Sequence, residues 1–254
     1  MFKLIITLIF VFNILTAWVV RNLKGRFKVR TWINYDAPPS GKKVCLVSGF
    51  RNQPDVAFGL IDFSRCRKIV WLMYSNFGFN MNLAARQMYE VCTAGYGTEV
   101  FAISFGAMVH QRANLRKGVL IDPCINPEVI LEPYRQKFRR NAIIYGALSA
   151  ILGWLAFIPV IPVEKPALSG IALSPVRYSL ALLADQMYYI GYSETKVKES
   201  RGITLVLSSY DGLLDNERII RDFRAARVIM IPAGHADTLA NPEPYQKVLE
   251  PLLE

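Results

Sequence analysis

Short apolar runs of β-strand length recur along this chain and alternate with segments of helical spacing. Such runs are typical of strands that are buried on both faces of a parallel sheet. They lie at 43–50, 68–75, 98–104, 118–123, 203–211 and 227–235, with helical segments at 82–95, after 104, at about 214–225 and at 241–253. This alternation predicts an α/β fold with a mostly parallel, doubly wound sheet of about six strands. Residues 26–36 are compatible with one further edge strand.

An insertion interrupts the alternation between the fourth and fifth strands. It contains 141–163, a stretch of 23 residues without a charge, which taken alone predicts a transmembrane helix. A single crossing conflicts with the fold, because strands on both sides of the insertion must pair in one sheet. Three interpretations remain open: a buried cap, an interfacial lid, or half of a membrane hairpin completed by 176–192. Pro159 and Pro162 end any helix before the apolar stretch ends.

The N-terminus carries a second apolar stretch. Residues 4–20 are 17 residues without a charge, just long enough to cross a hydrocarbon core of roughly 30 Å. Five basic residues follow by position 30, whereas a signal peptide carries its charge mainly before the apolar stretch. The pattern favours an uncleaved single-pass anchor over a cleaved signal or a buried helix. The positive-inside rule then places the body of the protein in the cytoplasm.

Four segments follow from these patterns. We expect a membrane anchor with a basic flank, the first half of the core, a helical cap or lid, and the second half of the core. Their expected bounds are 1–30, 31–126, 127–201 and 202–254.

The charge distribution and the cysteine content exclude some classes of function. The formal charge is +10, but residues 1–30 contribute six basic groups and no acidic one, so the rest of the chain is nearly balanced. A nucleic-acid-binding protein would keep a strongly basic face on its folded part, so we expect a membrane partner and no nucleic acid. The four cysteines form no C-x-x-C pair, which indicates buried free thiols in a reducing compartment.

Ser104 lies where a strand-like run meets a helical segment, in the sequence A-I-S-F-G. Nucleophilic catalysis by serine needs a sharp strand-to-helix turn, with small residues two positions before and after the serine. Ala102 and Gly106 meet that need. The five residues alone also fit an ordinary turn, so the assignment of a nucleophile depends on the presence of partners.

Partners of the right type follow the last two strands. His235 comes after the last strand and Asp211 after the strand before it. The order Ser104, Asp211, His235 is one of the three common chain orders of a serine–histidine–acid triad. His110, the other histidine, follows six residues after the serine in the same helix and is expected on the helix surface or in the core. Two further carboxylates are weaker candidates for the acid: Asp215 is expected to cap the next helix, and Asp122 follows the fourth strand.

With these motifs, residues 43–254 resemble the α/β-hydrolase superfamily. The resemblance is carried by "LVSGF", "AISFG", "SSYDGLLD" and "AGHADTLANPEPYQKVLEPLL". Departures are Ser48, where the family often has histidine, and Ala102, where it usually has glycine. The resemblance implies an oxyanion hole formed by the backbone N–H groups of Phe50 and Phe105, with Arg51 at the mouth.

These features predict a membrane-associated serine hydrolase that cleaves a lipid-like acyl ester or thioester. No metal, nucleotide or other cofactor is implied by any motif. An acyltransferase would use the same triad and the same acyl-enzyme, and a non-catalytic binding or scaffold protein would use the same fold. The sequence leaves these alternatives open, together with the oligomeric state.

Overall fold

The structure is a computed structural model that describes residues 2–50, 54–58, 61–94, 98–162, 177–197, 200–235, 241 and 243–253. Its strands are β1 (Lys28–Ile33), β2 (Lys43–Val47), β3 (Lys68–Met73), β4 (Thr98–Ile103), β5 (Lys117–Ile121), β6 (Pro159–Pro162), β7 (Arg177–Ser179), β8 (Gly202–Ser208) and β9 (Arg227–Ile231). Its α-helices are α1 (Phe2–Lys24), α2 (Pro54–Ala57), α3 (Met81–Thr93), α4 (Phe105–Arg112), α5 (Tyr134–Leu152), α6 (Leu180–Tyr192), α7 (Asn216–Asp222) and α8 (Glu243–Leu253). Short 3₁₀ turns occupy Pro127–Val129 and Gly153–Phe157.

The main sheet has seven strands in the order β1-β3-β2-β4-β5-β8-β9. All six apolar runs predicted as strands lie in it, and neighbouring strands among those six pair in parallel. The seventh strand is the predicted edge strand β1, which pairs antiparallel with β3. The prediction of a mostly parallel α/β sheet is therefore confirmed, with seven strands in place of about six.

Alternate residues of β2 illustrate how the sheet is buried. Cys45 and Val47 belong to one core cluster together with residues of α3 and α4. Val44 and Leu46 belong to a second cluster that includes Tyr245 of α8. Helices thus cover both faces of the sheet, as expected for strands without a polar side. The four cysteines at 45, 66, 92 and 124 are free and buried, in line with the prediction.

The insertion between β5 and β8 forms the cap, by which we mean α5, the 3₁₀ turn after it, β6, β7 and α6. Because β5 and β8 pair in parallel, the chain before and after the cap lies in one sheet, and a single membrane crossing within it is excluded. The cap is mainly helical, as predicted, but β6 and β7 form an additional two-stranded antiparallel ribbon. Within 141–163, helical structure ends at Phe157, before Pro159 and Pro162. Residue 163 and the following residues to 176 lie outside the described part.

Among the described residues, two helical segments are long and apolar enough to cross a membrane by length and composition, Lys3–Lys24 and Tyr134–Phe157. The first corresponds to the predicted N-terminal anchor. Its predicted boundary at residue 30 falls inside β1, because the edge strand already begins at Lys28.

Candidate functional site

Ser104 occupies a sharp turn between β4 and α4. Its backbone has φ 48° and ψ −112°, in the positive-φ region that L-residues other than glycine rarely adopt. The turn is tight enough that a Cβ atom on Gly106 would lie 2.7 Å from the carbonyl oxygen of Ser48. A Cβ atom on Gly49 would likewise lie 3.0 Å from Cβ of Ser104. The two glycines therefore allow the segment before Phe50 to pass directly beside the serine.

Three of the predicted site residues meet at the carboxyl edge of the sheet. Oγ of Ser104 lies 3.1 Å from Nε2 of His235. Nδ1 of the same ring lies 2.8 Å from Oδ2 of Asp211. In the tautomer that carries its proton on Nδ1, His235 donates to the carboxylate and accepts from the serine hydroxyl. This arrangement orients the imidazole as a base for the hydroxyl.

The second oxygen of Asp211 fixes the carboxylate. Oδ1 accepts hydrogen bonds from the backbone N–H groups of Leu213 and Leu214 at 2.8 and 2.9 Å. The Asp211 side chain is fully buried, so it remains in place for His235. Asp215 lies elsewhere: it caps α7 by accepting from the N–H of Arg218, as the sequence predicted.

Asp122 belongs to a second, buried hydrogen-bonding group behind the three residues. Its carboxylate accepts from both the N–H and the hydroxyl of Ser208, each at 2.7 Å. The hydroxyl of Tyr245 lies 3.2 Å from the same carboxylate and 3.0 Å from the carbonyl oxygen of Gly234, the residue before His235. From the sequence, Asp122 is only an alternative acid and Tyr245 has no predicted role. The single available signal was the position of Tyr245 in the final helix of the quoted motif.

The predicted oxyanion donors lie on either side of the serine. Phe105 is the first residue of α4, directly after Ser104. Phe50 follows Gly49, whose close approach to Ser104 is given above. The loop before Phe50 is held by Tyr74, whose hydroxyl donates to the carbonyl oxygen of Ser48 at 2.7 Å. Burial raises the pKa of Tyr74 well above its usual value, so this donor keeps its proton. Arg51, expected at the mouth, lies outside the described residues.

His110 takes no part in this site. It is fully buried, and its Nε2 donates to the carbonyl oxygen of Lys117 at 2.9 Å. Burial lowers its pKa to about 4, so the ring is neutral at physiological pH. The sequence left a core or a surface position open for His110, and the structure places it in the core.

One group of potential metal ligands is present among the described residues. Asp122, Asp211 and His235 offer three ligand atoms within 4.8 Å of one another. However, Nδ1 of His235 and Oδ2 of Asp211 share a hydrogen bond, and Ser208 and Tyr245 already contact Asp122. We therefore assign these side chains to a hydrogen-bonding network and derive no step through a metal.

No protein-family model and no curated protein matches the sequence. Solved structures do match. A hydrolase from Pseudomonas aeruginosa PA01 aligns with a TM-score of 0.61 at 14% identity, over 89% of this chain and 93% of its own. A thermophilic esterase from Thermogutta terrifontis aligns with a TM-score of 0.58 at 14% identity, over 89% and 93% of the two chains. A monoacylglycerol lipase from Paleococcus ferrophilus aligns with a TM-score of 0.52 at 14% identity, over 90% and 98%. At sequence identities this low, structural similarity establishes the fold alone. The chain has the α/β-hydrolase fold, built on a mostly parallel seven-stranded sheet.

Proposed function

We propose that this chain is a membrane-associated serine hydrolase that cleaves a lipid-like acyl ester or thioester through an acyl-enzyme. The observation that carries the proposal is the hydrogen-bonded series Ser104–His235–Asp211 at a strained strand-to-helix turn. Ser104 is the proposed nucleophile, His235 the general base and acid, and Asp211 the group that orients the imidazole.

In the first half-reaction, Oγ of Ser104 bonds to the substrate carbonyl carbon while its proton passes to Nε2 of His235. Asp211 stabilises the resulting imidazolium through Nδ1. The negative charge that develops on the carbonyl oxygen is held by the N–H groups of Phe105 and Phe50. As the tetrahedral intermediate collapses, the imidazolium donates its proton to the leaving alkoxide or thiolate, and the acyl group remains on Ser104.

The second half-reaction repeats these roles with water. His235 removes a proton from the water as its oxygen bonds to the acyl carbon. The second tetrahedral intermediate then expels the serine oxygen, which takes the proton back from the imidazolium. The products are a carboxylic acid and the regenerated enzyme, so no external oxidant, reductant or metal is needed.

A lipid-like substrate is favoured by what surrounds the site. Phe138 of α5 packs edge-on against Phe50, with ring centroids 5.6 Å apart, so the cap reaches the segment next to Ser104. Large apolar side chains of the cap, among them Ile151 and Trp154, are exposed. The esterase and the monoacylglycerol lipase named above have the same fold, which is compatible with ester chemistry at this edge.

A panel of nitrophenyl esters from acetyl to palmitoyl, presented in mixed micelles, tests the proposal. We expect turnover that rises with chain length and falls by several powers of ten in Ser104→Ala. Ser209→Ala, a change at an exposed serine on the loop that carries Asp211, is the matched control. Equal turnover in Ser104→Ala and wild type would overturn the assignment of the nucleophile, and a preference for acetyl would overturn the lipid-like substrate.

A further inference from the structure

We propose that α1 and the cap form one membrane-embedded face that holds the carboxyl edge of the sheet against the bilayer, so that the substrate enters the site sideways from the lipid leaflet. The substrate half of this statement rests on the proposed function, whereas the membrane-embedded face does not.

The register of β1 determines where α1 leaves the fold. β1 runs antiparallel to β3, and its first residue, Lys28, lies opposite Met73, the last residue of β3. The carboxyl edge of the sheet is also where Ser104 follows β4. The membrane-spanning candidate therefore joins the core at the edge that carries the nucleophile, and not at the opposite edge.

A polar clamp fastens α1 to the cap at this level. Nε of Arg21 lies 2.9 Å from Oδ2 of Asp185 on α6, and a second guanidinium nitrogen lies 3.1 Å from Oγ of Ser149 on α5. The same Asp185 oxygen accepts from the N–H of Phe79 at 2.8 Å. One carboxylate, whose side chain is 15% exposed, thus ties the end of α1 to both the cap and the core.

A second contact lies further along α1. Asn13 packs against Gly153, where a Cβ atom would lie 2.7 Å from Cγ of the asparagine. Residues 13 and 21 are about 12 Å apart along a helix. Contacts at two levels hold α1 alongside the cap. A flexible tether would not be held in this way. The tip of the cap near Gly153 consequently reaches the depth of the apolar middle of α1.

The outward face of the cap at this tip is apolar. Ala142 and Ser149 point inward and are buried, while Ile143, Ile144, Leu148, Ile151, Trp154 and Leu155 are exposed. Positions 144, 148 and 151 recur at helical spacing and share one side of α5, and the exposed Trp154 and Leu155 follow in the 3₁₀ turn. A helix side that faces water usually carries polar side chains. The face continues into α1, whose apolar side chains are exposed along most of its length.

Charge at the boundary favours a bilayer as the partner. Lys24, Arg26 and Lys28 follow the apolar part of α1, and the exposed Lys137 and Arg140 precede the apolar half of α5. Basic groups that border an apolar face are positioned to contact anionic lipid head groups. A second copy of this chain is the competing occupant, and the experiment below distinguishes the two.

Tryptophan quenching tests the face directly. One variant retains only Trp154 (Trp18→Phe, Trp32→Phe, Trp71→Phe), and its control retains only Trp32, on the edge strand opposite Ile69, towards the amino edge of the sheet. Both indoles are substantially exposed, at 63% and 43%. In vesicles of phosphatidylcholine and phosphatidylglycerol, we expect brominated acyl chains to quench Trp154 and not Trp32, and acrylamide to do the reverse.

Two results would overturn the membrane-embedded face. Quenching of Trp154 by acrylamide and not by brominated lipid would mean that the cap faces water. Protection of Trp154 from both quenchers would mean that another protein copy covers it. The measurement needs no turnover and is expected to give the same result in Ser104→Ala, so loss of the proposed activity and loss of the embedded face are separate outcomes.

Substrate entry is tested by a matched pair of isoleucine changes. Ile151→Glu places a charge in the face, and Ile220→Glu places one on the exposed side of α7. The readout is the rate on a long-chain ester embedded in vesicles divided by the rate on a soluble short-chain ester. We expect this ratio to fall roughly tenfold for Ile151→Glu, because a charge opposes insertion, and to stay within about twofold for Ile220→Glu. An unchanged ratio for Ile151→Glu would refute entry from the leaflet.

Discussion

The hydroxyl of Tyr245 lies 3.0 Å from the carbonyl oxygen of Gly234, the residue immediately before His235. The tyrosine belongs to α8 and is fully buried, whereas His235 lies on a loop. The same hydroxyl is within 3.2 Å of Asp122, which is hydrogen-bonded to Ser208 at the end of β8. The last helix is thereby connected to the histidine loop and to the end of a central strand.

This contact predicts a positioning role for Tyr245. Tyr245→Phe is expected to lower kcat roughly tenfold with little change in KM, because the histidine loop loses a buried hydrogen bond of about 1–2 kcal/mol. The pH profile of kcat/KM should shift as the imidazole environment changes. Tyr210→Phe, at an exposed tyrosine beside Asp211, is the control and should behave as wild type. A Tyr245→Phe enzyme that is less stable but has an unchanged pH profile and kcat would reduce the residue to a structural role.

Asp211 and Asp215, which both follow β8, have different hydrogen-bond partners. We therefore expect their substitution by asparagine to have different effects on kcat. Asp211→Asn should lower kcat by about four powers of ten, because an amide does not stabilise the imidazolium and favours the wrong tautomer. Asp215→Asn should stay within about threefold of wild type, since asparagine is also a good helix cap. Steady-state kinetics on a soluble ester measure both. The reverse order would move the acid to Asp215.

The tight turn at Ser104 predicts that Gly106 does not tolerate a larger side chain, whereas Ala102 tolerates a smaller one. Gly106→Ala would place a methyl group 2.7 Å from a backbone oxygen, so we expect a loss of roughly 1–3 kcal/mol in stability and at least about a hundredfold in turnover. Ala102→Gly, in a strand, should cost about 0.5–1 kcal/mol and leave turnover nearly intact. Thermal unfolding in mild detergent and ester kinetics check both. Normal activity in Gly106→Ala would mean that the loop before Phe50 is not confined as described.

The clamp carboxylate predicts a pH dependence of stability. Burial raises the pKa of Asp185 to about 6 from an ordinary 3.8, although Arg21 and the Phe79 N–H oppose the rise. Between these values the folded protein binds the proton more tightly than the unfolded chain does. The stabilising contribution of Asp185 is therefore present below about pH 4 and is lost as the pH rises through 6, by up to about 3 kcal/mol.

The matched experiment compares wild type with Asp185→Asn by thermal unfolding between pH 4.5 and about 7. The difference in melting temperature, variant minus wild type, should increase as the pH rises. Leaving Arg21 unpaired adds only a constant offset to this difference. His110, whose pKa burial lowers to about 4, contributes the opposite slope but does so equally in both proteins. A difference that is constant over this range would show that Asp185 does not titrate there.

The sheet and the meeting of Ser104, Asp211 and His235 could be predicted because each residue lies within four positions after the end of an apolar strand. The carboxyl ends of parallel strands share one edge, so chain order alone brings such residues together. The contacts between Arg21 and Asp185, 164 positions apart, and between Asp122 and Tyr245, 123 apart, had no such signal. Each depends on how a helix packs after the sheet has formed. For the same reason the sequence predicted an apolar insertion but not its contact with α1.

Active-site labelling with a fluorophosphonate, read by intact mass and peptide mapping, asks whether Ser104 is the nucleophile. We expect one phosphonyl group per chain, located on Ser104, absent in Ser104→Ala and formed at least about a thousandfold more slowly in His235→Ala. Labelling that persists in Ser104→Ala, or a folded wild-type protein that does not react at all, would contradict this assignment.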